Sequence, residues 1–337
     1  MGNQMENRWE YDAVSVDGMP SKSIVSSITA NSISNYATRV RNSNERYHRG
    51  AATDVPIPIQ MFQLARLRRQ DIALANDHVA LEWVKENPRQ TPFAKCAMRW
   101  NRVIHSGEKF TSSSWVIDKY ERRGNKFVTF GVNLLDESGA QVADYDYTSI
   151  FEYAPGQKHS VQKSVAAPRH AEWADSETIE PRFVDNSRSS NSADLTDLDS
   201  LLVGEKLPEF VIGESQATID ATRLDEGENE SPAKNIHNDA EFASEGIFAG
   251  TVNGGVTTMS YIVQMLEPWF PVEGLYDGGS LEFKAINPFR PGDIVKFGGT
   301  ISNKSKTGGR TRITCDIEGV NTDGQLIGVG TAVYNLE

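Results

Sequence analysis

The chain has 337 residues, of which 38% are hydrophobic, 24% charged and 9% aromatic. This is the composition of an ordinary globular protein; it excludes a disordered, collagen-like or membrane-embedded chain, and the length predicts two domains. The 46 acidic residues outnumber the 34 basic ones and give a net charge of −12. Because nucleic acids are bound mainly through Lys and Arg contacts to phosphates, DNA or RNA is not an expected partner.

The N-terminal residues contain no apolar stretch that could act as a signal peptide, and no window approaches the roughly 18 apolar residues of a membrane span. The two cysteines, Cys96 and Cys315, lie in apolar, strand-like segments. Buried, unpaired thiols are typical of a reducing compartment. We therefore expect a cytoplasmic protein without a membrane partner.

The first half is predicted to contain a long helix followed by an antiparallel meander. The segment PIQMFQLARLRRQ (residues 58–70) has apolar residues at helical spacing. From Ile104 onward, turns that contain glycine separate three runs rich in β-branched and aromatic residues. This is the pattern of consecutive hairpins.

The region between the two halves is polar and acidic. From Pro155 to Pro232 there are 16 acidic and 7 basic residues. The part up to residue 200 has no hydrophobic period, which is typical of a linker. We therefore predict an N-terminal unit over residues 1–154, a linker over 155–200 and a C-terminal unit over 201–337.

The second half repeats the first. Its segment VTTMSYIVQMLEPWF places Val256, Met259, Val263 and Leu266 on one face of a predicted helix. A second meander follows, and each half is thus predicted to wrap an antiparallel sheet around a helix, an α+β architecture. Three glycine pairs recur at one constant spacing along the chain: Gly107 and Gly292, Gly124 and Gly309, Gly139 and Gly324.

Three runs of the second half, KNIHNDAEFASEGIFAG, NGGVTTMSYIVQML and LEFKAINPFRPGDIVKFGGTI, resemble the MaoC-like hydratase/dehydratase family. The resemblance extends from Val203 to the end of the chain and is fainter between Ser23 and Tyr153. It implies a double hot-dog fold, in which two long central helices are each wrapped by a curved antiparallel sheet. It also implies acid/base chemistry that needs neither a metal nor a cofactor.

The resemblance places a catalytic histidine at His237. In the family, an Asp and a His hold the water that adds across an enoyl thioester double bond, and Pro232 stands here in the place of the Asp. Glu230 or Asp239 could supply the missing carboxylate and orient His237 if the loop folds back. Hydration needs both a base and an acid, each worth on the order of 10² to 10⁴ in rate.

Further site residues are expected at the start of the second central helix. In the family a backbone amide in this region polarises the thioester carbonyl, and the resemblance carries this role to Gly254. A helix N-terminus favours developing negative charge at such a position. Asn235, Asn253 and Gly255 are the adjoining candidates for contacts to the substrate.

Basic residues in the segment LARLRRQ offer a second candidate contact to the substrate. Arg66 and Arg69 could hold the phosphates of coenzyme A at a tunnel mouth. A solvated surface, or ion pairing with the acidic linker, explains the same residues, and the sequence does not decide between these interpretations.

The first unit lacks the family signature. In RVRNSNERYHRG, Asn42 and Asn44 stand where the Asp and Asn would be, and Tyr47 stands where the His would be. We therefore expect this unit to be catalytically degenerate and to cover the sheet edge of the second unit and shape an acyl tunnel.

The expected function is that of a hydro-lyase, which hydrates a 2-enoyl thioester or dehydrates a 3-hydroxyacyl thioester in fatty acid metabolism. The substrate would be a small-molecule acyl thioester on coenzyme A or acyl carrier protein. Because the usual Asp is absent, two alternatives stay open: a divergent isomerase, cyclase or dehydratase of a specialised pathway, and a non-catalytic acyl-binding protein. A homodimer is expected because hot-dog sheets often pair edge to edge, and a monomer stays open.

Overall fold

The structure is a computed structural model, and it describes residues 7–157, 180–184, 201–222 and 234–337. Most of the predicted linker lies outside the described residues, as do Glu230 and Pro232. Across the described residues, eleven strands join in one antiparallel sheet. The strands are β1 (Ile24–Ser27), β2 (Phe93–Trp100), β3 (Lys109–Arg122), β4 (Asn125–Asp136), β5 (Gln141–Glu152), β6 (Arg182–Val184), β7 (Glu209–Gly213), β8 (Ser280–Ala285), β9 (Ile294–Thr307), β10 (Arg310–Asn321) and β11 (Leu326–Leu336).

The strand order is β1-β3-β4-β5-β2-β8-β11-β10-β9-β7-β6. Both predicted meanders are present, as β3-β4-β5 and β9-β10-β11. In β10 every second side chain is buried, which is the alternation of a strand with one face against a core. Strands β2 and β8 pair with each other and so join the sheets of the two halves.

The internal repeat is confirmed. Strand β3 begins at Lys109 and β9 at Ile294, while β4 begins at Asn125 and β10 at Arg310, so both pairs of strands keep the spacing of the glycine pairs. The turns repeat as well, because Gly107 and Gly292 have φ angles of 93° and 92°. Side chains other than glycine rarely adopt such angles, which explains why glycine stands at this turn in both halves.

The helices are short apart from α1 and α6. They are α1 (Ala30–Arg39), α2 (Met61–Leu64), α3 (Arg69–Ala75), α4 (Gln216–Ala221), α5 (Ala240–Glu245), α6 (Gly255–Leu266) and α7 (Glu273–Tyr276). Single 3-10 turns occur at Tyr11–Ala13, Glu45–Tyr47, Gly50–Ala52, Pro58–Gln60 and Leu81–Trp83.

Helix α6 is the predicted central helix of the second half. Every side chain from Thr258 to Leu266 is buried, so the helix is covered all round and not on one face alone. The first half supplies part of this cover, since the Tyr36 hydroxyl lies 2.7 Å from the Ser260 hydroxyl. A helix that is buried on every side does not need a polar face toward solvent.

The prediction of a matching long helix over residues 58–70 is wrong. A 3-10 turn is followed by the single turn of α2, which ends at Leu64, and α3 begins only at Arg69. The Ala65 carbonyl accepts a hydrogen bond from the buried Tyr145 hydroxyl at 2.5 Å, and the Arg68 amide donates to the Ser114 hydroxyl at 3.4 Å. Tertiary hydrogen bonds thus take the place of the helical ones, which local periodicity does not reveal.

The predicted linker contains one described strand. Residues 182–184 form β6, which pairs with β7 at the edge of the sheet, and the Phe183 ring lies 5.2 Å from the Phe210 ring. An aromatic contact thus anchors this short stretch of the predicted linker to β7. Cys96 and Cys315 are buried free thiols, as predicted.

Side chains of the first half form hydrogen bonds to Glu267 at the C-terminal end of α6. The Tyr47 hydroxyl donates to Glu267 Oε1 at 2.6 Å, and the side-chain amides of Asn42 and Asn44 donate to the same carboxylate at 3.1 and 3.2 Å. Beside them, Arg46 pairs with Glu273 at 2.5 Å. Asn42, Asn44, Arg46 and Tyr47 therefore connect the two halves.

A second buried carboxylate, Glu214, lies between the halves. It is 1% exposed, accepts a hydrogen bond from the Tyr261 hydroxyl at 2.6 Å and lies 3.4 Å from Arg41 Nη2. Burial raises the pKa of Glu214 above its ordinary value of 4.5, against the opposing effects of Arg41, Thr218 and Tyr261. Burial disfavours the charged form of a carboxyl group.

This raised pKa predicts a pH dependence of stability. Between pH 4.5 and the raised pKa of Glu214, the folded state binds more protons than the unfolded state. The contribution of Glu214 to the free energy of unfolding is therefore fully present below pH 4.5 and is lost as the pH rises through the folded pKa. Urea denaturation of wild type and Glu214→Gln across this range should show wild type losing stability relative to the variant. If wild type instead gained stability relative to Glu214→Gln as the pH rises, the raised pKa of Glu214 would be contradicted.

Candidate functional site

A cavity of about 340 Å³ lies between the two halves. Its walls are largely aromatic and aliphatic, and in one wall the Phe93 ring of β2 stacks on the Phe283 ring of β8 at 6.2 Å. Sites that bury small molecules are typically concave and apolar with a few converging polar groups. The lining includes the polar residues His237, Asn235, Asn253, Arg69 and Tyr153 and the two glycines Gly254 and Gly255.

His237 lies in the turn that precedes α5 and is held from three sides. Its backbone amide donates to Asn235 Oδ1 at 2.9 Å, and its carbonyl accepts from Gln216 Nε2 at 2.8 Å. Ring atom Nδ1 lies 2.8 Å from the Val252 carbonyl oxygen. A carbonyl accepts but cannot donate, so Nδ1 carries the proton and Nε2 of the neutral ring is the basic nitrogen.

Asn235 therefore shapes the turn that presents His237. An Asn side chain that accepts from the amide two residues on forms an Asx turn, which mimics a backbone turn. The sequence predicted a substrate contact at Asn235; the structure places it in the cavity lining, with its Oδ1 atom occupied by this bond.

The start of α6 opens on the same cavity. The Gly254 amide, which was expected to polarise a thioester, donates instead to Asn253 Oδ1 at 2.8 Å. No side chain among the described residues caps this helix. The first amides of a helix have no partner within it, so the amides of Gly255, Val256 and Thr257 are the donors at this end, and all three residues line the cavity.

Gly255 is required by packing against Phe93. A Cβ atom at position 255 would lie 2.3 to 2.5 Å from ring atoms of Phe93, whereas at Gly254 the nearest atom would be Thr257 Oγ1 at 3.4 Å. We expect Gly255→Ala to lower the free energy of unfolding by about 1–3 kcal/mol through overpacking. Gly254→Ala is the matched control and should change it by less than about 0.5 kcal/mol. Denaturant unfolding of both variants measures the difference; equal stability would contradict the contact.

Of the two carboxylates predicted to orient His237, the structure describes only Asp239. Asp239 does not line the cavity, and its Oδ1 atom accepts from the Phe242 amide at 2.9 Å, which makes it the N-cap of α5. Such caps are a common role of Asp. Glu230 lies outside the described residues.

The two predicted arginines lie at different places. Arg66 lines an open cleft of about 670 Å³ in the first half, together with Arg39, Arg68 and Asp71. Arg69 lines both this cleft and the cavity. The cleft and the cavity also share Tyr36 and Gln63, so they are neighbours.

Arg69 belongs to a buried polar cluster. Its Nη2 atom lies 3.0 Å from Glu82 Oε1, and the two side chains are 20% and 2% exposed. Its Nη1 atom donates to the Ser149 hydroxyl at 3.2 Å, while both the hydroxyl and the amide of Thr91 donate to Glu82. Arg69 is thus the ion-pair partner of Glu82, which lies outside the predicted linker.

Sequence reasoning missed the side of the cavity formed by β5. Tyr147 and Tyr153 line it, and burial raises the pKa of Tyr147 to about 12, with Arg69 opposing. The alternation in YDYTSIFEY was available as a sign of inward-facing tyrosines. The proximity of Tyr147 to Arg69 of α3 depends on packing between residues far apart in the sequence, which no local pattern shows.

Among the described residues, no group of three or more His, Cys, Asp and Glu side chains could hold a metal ion. No helix in the described ranges is long and apolar enough to cross a membrane.

Solved structures show the fold to which this chain is similar. A MaoC-like dehydratase is 16% identical with a TM-score of 0.65, and the match covers 95% of this chain and 98% of that one. A MaoC-like dehydratase from Phytophthora capsici is 15% identical with a TM-score of 0.59, covering 96% and 100%. A conserved Mycobacterium tuberculosis protein, described as having a double hotdog fold, is 9% identical with a TM-score of 0.51, covering 97% and 98%. No sequence model of a protein family and no curated protein matches the chain. The predicted double hot-dog fold is confirmed, with one long central helix in place of two.

Proposed function

We propose that this chain, which has the double hot-dog fold of MaoC-like dehydratases, is a hydro-lyase that interconverts 2-enoyl and 3-hydroxyacyl thioesters. One observation carries the proposal: His237 stands in the wall of an apolar cavity into which the uncapped start of α6 also opens. A proton-transfer group and a set of backbone donors at one apolar cavity are the parts that this reaction needs.

The proposed chemistry begins at His237. Its Nε2 atom takes a proton from a water molecule as the water oxygen bonds to carbon 3 of the enoyl group. The double-bond electrons move toward carbon 2 and the thioester oxygen. The protonated His237 ring then delivers its proton to carbon 2, which completes the addition of one water molecule and returns the ring to its neutral form. The hydrogen bond from Nδ1 to the Val252 carbonyl supports this role, because it fixes the tautomer and stabilises the ring when it becomes protonated.

The negative charge on the thioester oxygen would be stabilised by the amides of Gly255, Val256 and Thr257. These donors lie at the positive end of the α6 dipole, and all three residues line the apolar cavity. The role first expected of the Gly254 amide therefore moves to the following residues. Asn253 supports them by holding the turn before the helix.

For the carboxylate partner of His237, Glu230 is the proposed residue, because Asp239 is engaged as a helix cap. The carrier of the acyl group, coenzyme A or acyl carrier protein, would reach the cavity through the cleft that contains Arg39, Arg66 and Arg68. Arginines suit phosphate groups because their planar donors match two oxygens at once.

The test is direct. Purified protein is mixed with crotonyl-CoA and with longer 2-enoyl-CoAs, and the ultraviolet absorbance of the enoyl thioester is followed. We expect protein-dependent loss of this absorbance with at least one chain length. Folded protein that turns over none of these substrates would contradict the proposal and favour a non-catalytic acyl-binding role.

A further inference from the structure

The loop that presents His237 is closed by contacts between two short segments. The Val252 amide donates to the Ile236 carbonyl at 3.1 Å, and the Val252 carbonyl accepts from the His237 ring at 2.8 Å. Between these segments the chain makes an excursion that includes α5. The direction of the His237 ring therefore depends on how firmly residues 235–237 and residues 251–252 are held together.

One side chain of α4 bonds to both segments. Gln216 Nε2 donates to the His237 carbonyl at 2.8 Å and to Asp220 Oδ1 at 2.9 Å. Gln216 Oε1 accepts from the Thr251 hydroxyl at 2.6 Å. Because a carbonyl can only accept, the amide nitrogen must face His237, which leaves the amide oxygen for Thr251. The Gln216 amide thus bridges the two segments.

Gln216 belongs to a helix that is itself anchored. Helix α4 begins with a capping box, in which Ser215 and Thr218 each bond to the backbone amide of the other. The Thr218 hydroxyl also donates at 2.5 Å to Glu214, the carboxylate buried between the halves. Ile219 of the same helix is buried and lines the cavity. Helix α4 is thus a fixed base from which the Gln216 amide reaches the loop.

We propose that Gln216 is a positioning residue for the hydration reaction, and that its amide bridge fixes the direction and the tautomer of the His237 ring. Gln216 is not among the residues that line the cavity, so it acts through the loop and not on the substrate. The effect on the rate rests on the proposed function, whereas the effect on the ring rests on the contacts alone.

Loss of the bridge changes the chemistry of the ring. When residues 235–237 and residues 251–252 separate, the hydrogen bond from His237 Nδ1 to the Val252 carbonyl is weakened. The ring proton is then shared between Nδ1 and Nε2, because the bond made by one nitrogen sets the protonation of the other. A neutral ring that is protonated on Nε2 cannot take a proton from water at that atom.

The test compares Gln216→Met with a matched control, Asn335→Leu. Gln216→Met keeps the length of the side chain and removes its amide. The Asn335 amide likewise donates to a backbone carbonyl, that of Asp277 at 2.7 Å, and accepts from Arg312 at 3.2 Å. Asn335 is not among the residues that line the cavity, so its loss removes similar bonds away from the site.

Two measurements are made on each protein. Steady-state kinetics with the best 2-enoyl-CoA gives kcat and KM. Nitrogen NMR spectra of the histidine rings show which ring nitrogen carries the proton and do not require turnover. The chain has 6 histidines, and the signals that disappear in His237→Gln are those of His237.

We expect Gln216→Met to lower kcat about 10- to 100-fold, the cost of a misplaced catalytic group, with little change in KM. The wild-type spectrum should show His237 protonated on Nδ1, and the variant should show a mixture of both tautomers. Asn335→Leu should match wild type in both measurements. An unchanged kcat or an unchanged His237 tautomer in folded Gln216→Met would overturn the positioning role.

Thr251→Val tests the other end of the bridge with a smaller change. It removes only the hydroxyl that donates to Gln216 Oε1, so it should stay folded even if Gln216→Met does not. We expect kcat to fall about 3- to 10-fold, the effect of one hydrogen bond, and an unchanged kcat would overturn the bridge. In the double variant the two losses should not add, because both substitutions break the same contact.

Failure of the proposed function has a different signature. If wild type turns over no 2-enoyl-CoA, the proposed function is overturned, and the NMR spectra alone decide whether Gln216 positions the ring. A mixture of tautomers in Gln216→Met, with a single tautomer in wild type and Asn335→Leu, would support the bridge. The same tautomer in all three proteins would overturn it.

Discussion

His237→Ala is expected to lower kcat for enoyl-CoA hydration by about 10²- to 10⁴-fold, the usual contribution of a positioned acid or base. The ring is the group proposed to move the proton, and its Nδ1 atom is held by the Val252 carbonyl. KM should change less, because the apolar cavity walls and the donors of α6 remain. Steady-state kinetics with the best 2-enoyl-CoA measures both constants.

Two further variants sharpen this result. His237→Gln keeps a side-chain amide that can donate to Val252 but cannot accept a proton, so it should be as inactive as His237→Ala. His105→Ala is the control, since its ring is 51% exposed and pairs with Asp54 at the surface; it should keep wild-type rates. If His237→Gln retained wild-type kcat, proton transfer by His237 would be refuted, and the residue would have a structural role only.

Arg41→Met should cause the largest loss of stability, about 3–5 kcal/mol, because it leaves a buried carboxylate without its cationic partner. Arg41 Nη2 lies 3.4 Å from Glu214 Oε2 and donates to the Gly213 carbonyl at 2.8 Å. Methionine fills a similar volume but supplies neither charge nor donors. Denaturant unfolding measures the change in the free energy of unfolding.

The double variant Arg41→Met/Glu214→Leu should recover most of the lost stability, because well-packed apolar residues often replace a buried ion pair at little cost. The control is Arg46→Met, which breaks a more exposed pair with Glu273, whose side chains are 26% and 46% exposed. Such pairs are worth about 0–1 kcal/mol. If Arg41→Met and Arg46→Met lowered the free energy of unfolding equally, the burial of Glu214 would not increase the cost of removing its cationic partner.

The sequence was most informative where the fold follows a local period. The three glycine pairs predicted both meanders, and the spacing within each pair is also the spacing of β3 and β9 and of β4 and β10. Strand alternation and turn glycines act over a few residues, so one chain is enough to reveal them. The resemblance added the fold family, and with it the region of His237.

The parts that sequence could not supply depend on long-range contacts. The predicted helix breaks after Leu64, where the Ala65 carbonyl accepts a hydrogen bond from Tyr145, 80 residues away. Arg69, which was part of a basic segment, pairs with the buried Glu82. Each of these outcomes depends on which side chain arrives nearby in three dimensions.

The junction of β2 and β8 has the symmetry of an isologous dimer interface. Ala97 pairs with Glu282, its own equivalent in the internal repeat, and the flanking pairs Lys95–Lys284 and Arg99–Ser280 are exchanged by a local two-fold axis through that pair. In a homodimer such contacts form between two molecules and weaken on dilution. Here one covalent chain carries both partners, so assembly of the cavity does not depend on protein concentration. The two copies are also free to differ in sequence. The second half contains the long helix and His237, while the first half supplies cavity walls and hydrogen-bond donors that anchor Glu267.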